Sequence, residues 1–249
     1  MASTQSPNSE LPAWKRDLPN ALTIARVVLA CGFVAILSVS PAGEGGVEPS
    51  DWDGRRPWLA LGAAVFVVAA VTDALDGFFA RRWGVISTFG RVMDPFADKL
   101  LVLGAFVCLC GASFFLDLNG AGLNGAGLGR VGLGEGMDAV SSGRSGVQLS
   151  GVQPWMVVVV LGRELLVTSI RGVYEARGRD FSASLSGKLK MIFQSVAIPL
   201  VLGGLAATPD PSESWIVQVA HWIMIATVVV TALSGVAYVR RAMATGTGS

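Results

Sequence analysis

The chain has 249 residues, of which 52% are hydrophobic and only 15% are charged, and its mean hydropathy is +0.57. A soluble globular domain carries roughly 25% charged residues, so this composition predicts an integral membrane protein. The net charge of +1 gives no indication of a nucleic-acid partner. The three cysteines lack the spacing of a zinc site or a disulfide framework.

Six apolar stretches are long enough to cross a bilayer, since a transmembrane helix needs about 20 mostly apolar residues. They lie at 21–40, 58–80, 94–116, 154–175, 187–207 and 215–239. Asn20 follows Pro19 and is predicted to cap the first helix. Residues 1–19 are predicted to form an N-terminal arm, partly disordered, with a short segment that lies on the membrane surface.

Basic residues indicate how the chain crosses the membrane, because they favour the cytoplasmic side. They concentrate in the N-terminal arm, the second and fourth connections and the C-terminal end, whereas acidic residues dominate the first and fifth connections. We therefore expect an all-α membrane protein with six transmembrane helices and both termini in the cytoplasm. The membrane domain is expected to span 20–241, followed by a tail over 242–249.

The connection at 117–153 differs in composition from the rest of the chain. It is rich in glycine, and the unit GAGL occurs at 120–123 and again at 125–128. Such a segment cannot bury a core. We expect a flexible outer loop on the side of the membrane opposite to the aspartates described next.

Four aspartates lie close together, at the end of the second span and the start of the third: Asp73, Asp76, Asp94 and Asp98. Residues three or four apart share a helix face, so each helix can present two carboxylates to one cavity. Charge this close to lipid is costly and indicates a functional site, and four carboxylates suit a hard divalent cation. The structural alternative is that they pair with neighbouring arginines and a lysine at a helix boundary.

The aspartates belong to a longer pattern, D-x2-D-G-x2-A-R-x8-G-x3-D-x3-D, that runs from Asp73 to Asp98. Its eight fixed positions match the signature of the CDP-alcohol phosphatidyltransferases, and six spans also resemble the architecture of that family. The resemblance implies that Asp73, Asp76 and Asp94 bind Mg²⁺ or Mn²⁺, with two ions expected. It also implies that Asp98 deprotonates the acceptor alcohol while lying near a metal.

Small residues inside the motif are predicted to accommodate the CDP group of the donor. Gly77 and Ala80 are one helical turn apart and leave room for a nucleotide. Arg81 can pair with a phosphate or with a motif aspartate. Gly90 is predicted to let the chain turn tightly into the third helix.

On the first helix, Asn20, Thr23 and Arg26 are spaced by three residues and share a face. This pattern resembles glycerol-3-phosphate-using members of the family, in which the face borders the nucleotide site. The alternative is a helix cap followed by two inward-facing polar residues.

Basic residues in the fourth and fifth spans predict a second anionic group beside the aspartates: Arg163, Arg171, Lys188 and Lys190. The R-E-x6-R and G-K-x-K runs resemble family members whose acceptor carries a phosphate. Gly162 and Gly172 depart from that pattern, which usually has Ala and Glu there. The alternative for the two lysines is simple anchoring at the cytoplasmic face.

The resemblance implies an enzyme that moves a phosphatidyl group from CDP-diacylglycerol to glycerol 3-phosphate, giving phosphatidylglycerophosphate and CMP. It is expected in the cell membrane, among membrane lipids, with its site facing the cytoplasm and with a second copy as partner. Other acceptors in the same family, an inositol phosphate or phosphatidylglycerol for cardiolipin synthesis, stay open. A divalent-cation transporter is the rival class, although transport sites usually lie near the midplane, within repeats, and the motif occurs once.

Overall fold

The computed structural model of the chain describes residues 13–40, 47–83, 88–111, 114–117, 146–176, 185–210 and 214–246. Over these ranges the long helices are α1 (Ala13–Val39), α2 (Trp52–Trp83), α3 (Thr88–Cys110), α4 (Pro154–Ala176), α5 (Leu185–Ala207) and α6 (Ser214–Gly246). A 3-10 turn, Pro49–Asp51, precedes α2. Two short strands, β1 (Phe115–Asp117) and β2 (Gly146–Gln148), lie between α3 and α4.

The helices pack in a closed ring, in which each helix has two main neighbours. The order around the ring is α1, α2, α5, α6, α4 and α3, and α3 closes it by packing against α1. One cluster of buried apolar side chains runs through all of these helices. Because α1 packs against both α2 and α3, it contacts the two helices that carry the aspartates.

The inward face of α1 shows why this sequence forms a ring helix. Its buried positions recur every three or four residues, as an amphipathic helix requires: Thr23, Arg26, Ala30, Phe33 and Leu37, each at most 1% exposed. The ring of Phe33 meets that of Phe66 in α2 edge to face, with centroids 5.5 Å apart. The two polar positions of this stripe therefore fall at its aspartate end.

Glycines let α1 approach both neighbours closely. A Cβ at Gly104 of α3 would lie 2.9 Å from Cγ2 of Val34, and one at Gly62 of α2 would lie 3.0 Å from Cδ2 of Leu37. Small residues at such contacts are typical of membrane helices, which associate by close packing.

At the end of the ring opposite to the aspartates, side chains of α2 bind backbone carbonyls at the C-terminal end of α5 and just beyond it. Helix C-termini leave carbonyls without intrahelical donors. The indole nitrogen of Trp52 donates to the carbonyl of Thr208 over 2.9 Å, and Nε of Arg56 donates to that of Ala206 over 3.0 Å. The guanidinium of buried Arg55 lies 5.0 Å from the ring centroid of Phe114. These contacts fix the start of α2 against the end of α5.

Part of the predicted flexible loop is ordered. β1 and β2 pair antiparallel, with Leu116 opposite Val147. The hydroxyl of Ser150 donates to the carbonyl of Leu109 over 2.6 Å and accepts from the amide of Val152. Residues 146–153 of this predicted loop therefore contain a strand and a turn, and the polar groups of the turn bind the C-terminal end of α3. Residues 118–145 lie outside the described part.

Gly151 brings this segment against α6. Its φ is +68°, a conformation that favours glycine. A Cβ there would lie 2.4 Å from Cα of His221, and the carbonyl of Gly151 is 3.2 Å from Nδ1 of the same histidine. The start of α4 and the start of α6 are thus held together by backbone contact.

Within the described residues, segments long and apolar enough to cross a membrane are Asn20–Val39, Trp52–Leu75, Leu189–Ala207 and Trp215–Ala244. They correspond to the first, second, fifth and sixth predicted spans. α4 differs because it carries Arg163, Glu164 and Arg171, and α3 contributes a shorter apolar helix, Lys99–Cys110. Many large apolar side chains face outwards, among them Val28, Leu200 and Leu233, as expected of a surface that contacts lipid.

Two predicted helix boundaries are wrong. α1 begins at Ala13, so Asn20 lies inside the helix and does not cap it. Pro19 removes one backbone hydrogen bond there, and the good helix formers on either side maintain the helix. Likewise, α3 begins at Thr88, so Gly90 lies in its first turn and not in the turn before it.

Candidate active site

The structure places both aspartate pairs on helix backbone near the connection between α2 and α3. α2 ends at Trp83, and α3 begins at Thr88. With a rise of 1.5 Å per residue, Asp76 lies about 10 Å before the end of α2, and Asp94 about 9 Å after the start of α3. The two pairs therefore lie at similar depths below the connection.

Asp73 is the one motif aspartate whose side chain is described, and it contacts α1. Its Oδ1 lies 2.9 Å from Nη1 of Arg26, whose side chain is 1% exposed, while that of Asp73 is 28% exposed. A buried guanidinium requires a negative partner, and the carboxylate supplies it. Thr23, one turn earlier on α1, is also buried, and Asn20 is partly buried. The structure thus joins the polar face of α1 to the aspartate motif.

The other motif side chains lie outside the described residues, although the backbone of each is helical: Asp76, Ala80, Arg81, Asp94 and Asp98. Gly77 lies in α2 one residue after Asp76. The chemistry of the donor set, carboxylates from two helices that are consecutive in the chain, fits a hard divalent cation. Among the side chains that are described, no three metal-binding groups come together.

The predicted acceptor residues Arg163 and Lys190 meet at a buried carboxylate. Oε1 of Glu164 accepts a hydrogen bond from Nζ of Lys190 and lies 3.1 Å from Nη1 of Arg163. All three side chains are 10% exposed. Arg171 lies on the exposed part of α4, and the side chain of Lys188 is outside the described residues. The structure therefore brings two of the four predicted basic residues together.

α6 fixes the side chain of Arg163 from the other side. Nε of Arg163 donates to the hydroxyl of Ser234 over 3.1 Å. A Cβ at Gly235 would lie 2.9 Å from Cγ of Arg163, so the absence of a side chain there leaves space for the arginine. A cleft of about 310 Å³ opens between α4 and α6 beside it, with apolar walls that include Leu166, Val236 and Val239.

A short chain of polar contacts connects the basic residues to the aspartate helix. Lys99, which directly follows Asp98, donates through Nζ to the hydroxyl of Thr168. That hydroxyl in turn donates to the carbonyl of Glu164 over 2.7 Å. α3 and α4 are thus linked where the two halves of the predicted site would meet.

Three residues in these contacts had no role in the sequence-based prediction: Glu164, which it named only as part of the R-E-x6-R run, Ser234 and Gly235. Glu164 carried a usable signal, since an acidic residue within an apolar stretch marks a functional site and a neighbouring arginine is a ready partner. Ser234 and Gly235 carried none, because serine and glycine are common throughout apolar helices.

An apolar helical ring with charged residues gathered at one end is the architecture of an integral membrane protein. The chain belongs to the CDP-alcohol phosphatidyltransferase family, whose model matches residues 16–233. That range contains the aspartate motif, the polar face of α1 and the basic residues of α4 and α5.

Several curated relatives are similar over most of their length. The CDP-diacylglycerol–glycerol-3-phosphate 3-phosphatidyltransferase of Bacillus subtilis is 31% identical over 75% of this chain and 76% of its own. The probable phosphatidylglycerophosphate synthase of Mycobacterium tuberculosis is 29% identical over 91% of this chain and 82% of its own. A protein of Cereibacter sphaeroides with the same name as the Bacillus relative is 28% identical over 76% of this chain and 64% of its own.

Proposed function

We propose that this protein transfers a phosphatidyl group from CDP-diacylglycerol to glycerol 3-phosphate, forming phosphatidylglycerophosphate and CMP in phospholipid synthesis. Family membership over residues 16–233 supports phosphatidyl transfer. The names of the Bacillus and Mycobacterium relatives support this donor and acceptor. The observation in the structure that carries the acceptor assignment is the buried pair of cations, Arg163 of α4 and Lys190 of α5. α4 is itself bonded to the aspartate helix α3 through Lys99 and Thr168.

Asp98 acts as the general base in this proposal. Its carboxylate takes the proton from the attacking hydroxyl of glycerol 3-phosphate, and the oxygen forms a bond to the phosphorus that bears diacylglycerol. The bond from that phosphorus to the CMP oxygen breaks, and CMP leaves. A positioned base of this kind typically contributes about 10²–10⁴-fold to the rate.

Asp73, Asp76, Asp94 and Asp98 would hold Mg²⁺ or Mn²⁺, two ions in all. When bound, the metal neutralises the pyrophosphate and stabilises the departing CMP. Arg26 keeps the carboxylate of Asp73 oriented from the side of α1, because its buried guanidinium can reach that carboxylate directly.

The CDP group of the donor would lie between α1 and α2. Asn20, Thr23 and Arg26 form the α1 side of this proposed subsite, supported by the burial of the last two and by the contact with Asp73. Gly77, Ala80 and Arg81 form the α2 side. Small residues there leave room for the nucleotide, and Arg81 supplies a charge for a phosphate.

The phosphate of the acceptor would be held by basic side chains of α4 and α5: Arg163, Arg171, Lys188 and Lys190. A phosphate monoester carries up to two negative charges, and charge-assisted hydrogen bonds from such side chains are its usual partners. Cations inside apolar helices are costly. An acceptor without a negatively charged group near its hydroxyl would not need several of them.

We propose six spans with both termini in the cytoplasm, which the distribution of charge along the sequence supports. In that orientation the aspartates would lie at the cytoplasmic face of the cell membrane. A water-soluble acceptor and a lipid donor can meet there. We also propose a homodimer, by analogy with the family.

A CMP-release assay tests the function. Purified protein in detergent would receive CDP-diacylglycerol, Mg²⁺ and, in turn, glycerol 3-phosphate, an inositol phosphate or phosphatidylglycerol. Release of CMP with glycerol 3-phosphate and formation of phosphatidylglycerophosphate, identified by mass spectrometry, is the expected result. CMP release with another acceptor alone would contradict the acceptor, and no release with any of them would contradict the transferase.

A further inference from the structure

Glu164 is a buried carboxylate in the middle of α4, and the chemistry proposed above gives it no task. It is 8% exposed. It accepts a hydrogen bond from Lys190 of α5 and pairs with Arg163 of its own helix. It is therefore the one side chain, among those described, that contacts both of the buried cations assigned to the acceptor.

Electrostatics explains why a carboxylate is needed between these cations. Two positive charges buried side by side repel strongly, because an apolar environment screens them little. Removing one partner from a buried charge set is costly, since the remaining charge keeps its desolvation penalty. Arg163, Lys190 and Glu164 together carry a net charge of +1, which attracts the phosphate of the acceptor.

We propose that Glu164 is a positioning residue for the acceptor: its carboxylate holds Lys190 and Arg163 at the spacing that receives the phosphate of glycerol 3-phosphate. This inference rests on the proposed function. Glu164 does not contact the reacting atoms; it acts through the two cations.

The contacts of α4 with its neighbours support this positioning role of Glu164. Thr168, one turn after Glu164, accepts from Lys99 of α3 and donates to the carbonyl of Glu164. The stretch of α4 that carries the carboxylate is therefore tied to the helix of Asp98. Ser234 holds the guanidinium of Arg163 from α6, so the cations are fixed between three helices.

The test is the variant Glu164→Gln, which keeps the size of the side chain and removes its charge. We expect the KM for glycerol 3-phosphate to rise about tenfold, the loss corresponding to one charge-assisted hydrogen bond. The KM for CDP-diacylglycerol should stay within about twofold. In Glu164→Asp, which retains the charge on a shorter side chain, the acceptor KM should lie between those of the wild type and Glu164→Gln.

Gln194→Met is the matched control. Gln194 is buried in α5, one turn after Lys190, and donates to Thr231 of α6 over 3.2 Å. The substitution removes a buried polar contact without touching either cation, so it should leave the acceptor KM unchanged.

A double-mutant cycle separates positioning from a general structural role. Lys190→Met removes one cation, and adding Glu164→Gln to it should raise the acceptor KM by less than Glu164→Gln does alone. If Glu164→Gln does not fold, Glu164→Asp carries the test, with a raised acceptor KM and an unchanged donor KM as the expected result.

Two results would overturn the inference. One is an acceptor KM in the Glu164 variants equal to that of an active wild type, whatever the thermal stability. The other is a lower acceptor KM, which would mean that the carboxylate competes with the phosphate. Failure of the wild type to release CMP with glycerol 3-phosphate would instead contradict the proposed function, so the two failures are distinct.

Discussion

The guanidinium of Arg26 lies 2.9 Å from the carboxylate of Asp73, and this contact joins α1 to the aspartate motif of α2. A buried arginine in an apolar helix is costly unless a negative group accompanies it. The pair therefore explains how a charged residue is retained on the inward face of α1. It also places the two polar regions that the sequence identified separately, the face of α1 and the motif, in one site.

Replacement of Arg26 by Met should impair catalysis through this contact. Asp73 would lose its partner, and the α1 side of the proposed CDP subsite would lose its charge. We expect kcat/KM for CDP-diacylglycerol to fall by about 10²-fold, which corresponds to about 2.7 kcal/mol, because the buried site loses a charged partner. Steady-state kinetics at varied concentrations of CDP-diacylglycerol would measure this fall in kcat/KM.

Arg56→Met is the control for this variant. Arg56 lies on α2 at the opposite end of the ring, where it binds the carbonyl of Ala206. It should retain kcat/KM close to the wild-type value, although its stability falls. Equal activity of Arg26→Met and the wild type would contradict a role for the α1 face in the site.

Gly235→Ala should displace Arg163 without weakening the helix. The added Cβ would lie 2.9 Å from Cγ of Arg163, so the arginine must leave its present rotamer, at a cost of the order of 1 kcal/mol. We expect the KM for glycerol 3-phosphate to rise about fivefold, since 1.4 kcal/mol is tenfold, with thermal stability maintained because alanine favours a helix. Gly204→Ala, where a Cβ meets nothing within 4 Å, should not change the KM.

Gly151→Ala should destabilise the protein. Its backbone has φ of +68°, and a Cβ would lie 2.4 Å from Cα of His221, which is backbone and cannot turn aside. Strain and overpacking together should lower the stability by at least about 2 kcal/mol, measured as a lower Tm in detergent. Gly203→Ala, at a position with open space, should keep or raise the Tm. A Gly151→Ala variant as stable as the wild type would contradict the close contact between the start of α4 and α6.

Chelation should abolish turnover reversibly. EDTA should stop CMP release, and an excess of Mg²⁺ or Mn²⁺ should restore it, because four carboxylates cannot accommodate a pyrophosphate without cations. Full activity after exhaustive chelation would contradict the metal assignment.

Much of the helical content follows from the length of the apolar stretches, since each of the six long helices overlaps one of them. The start of α1 could not be predicted in this way, because a proline inside a helix reads locally as a boundary. The pairing of β1 with β2 and the binding of Ser150 to the end of α3 depend on contacts between distant segments, which composition does not encode.

The candidate site also has a part that the sequence predicts and a part that it does not. The aspartates, Arg26 and the basic residues were identifiable because charge in an apolar stretch is rare. The sequence could not identify which of these cations meet. The contact of Lys190 with Glu164 joins two helices, and their relative rotation depends on the packing of the whole ring. The role of Glu164 follows from that contact and not from its position in the sequence.

The most direct test of the central claim, that the aspartates form the reaction centre with Asp98 as base, is the turnover of Asp98→Asn together with its donor binding. We predict a fall in kcat of at least about 10²-fold, with CDP-diacylglycerol still bound in an equilibrium assay. Asp53→Asn, which changes an exposed aspartate at the opposite end of α2, should retain wild-type kcat. An Asp98→Asn variant that turns over normally, or that fails only because it no longer binds the donor, would contradict the claim.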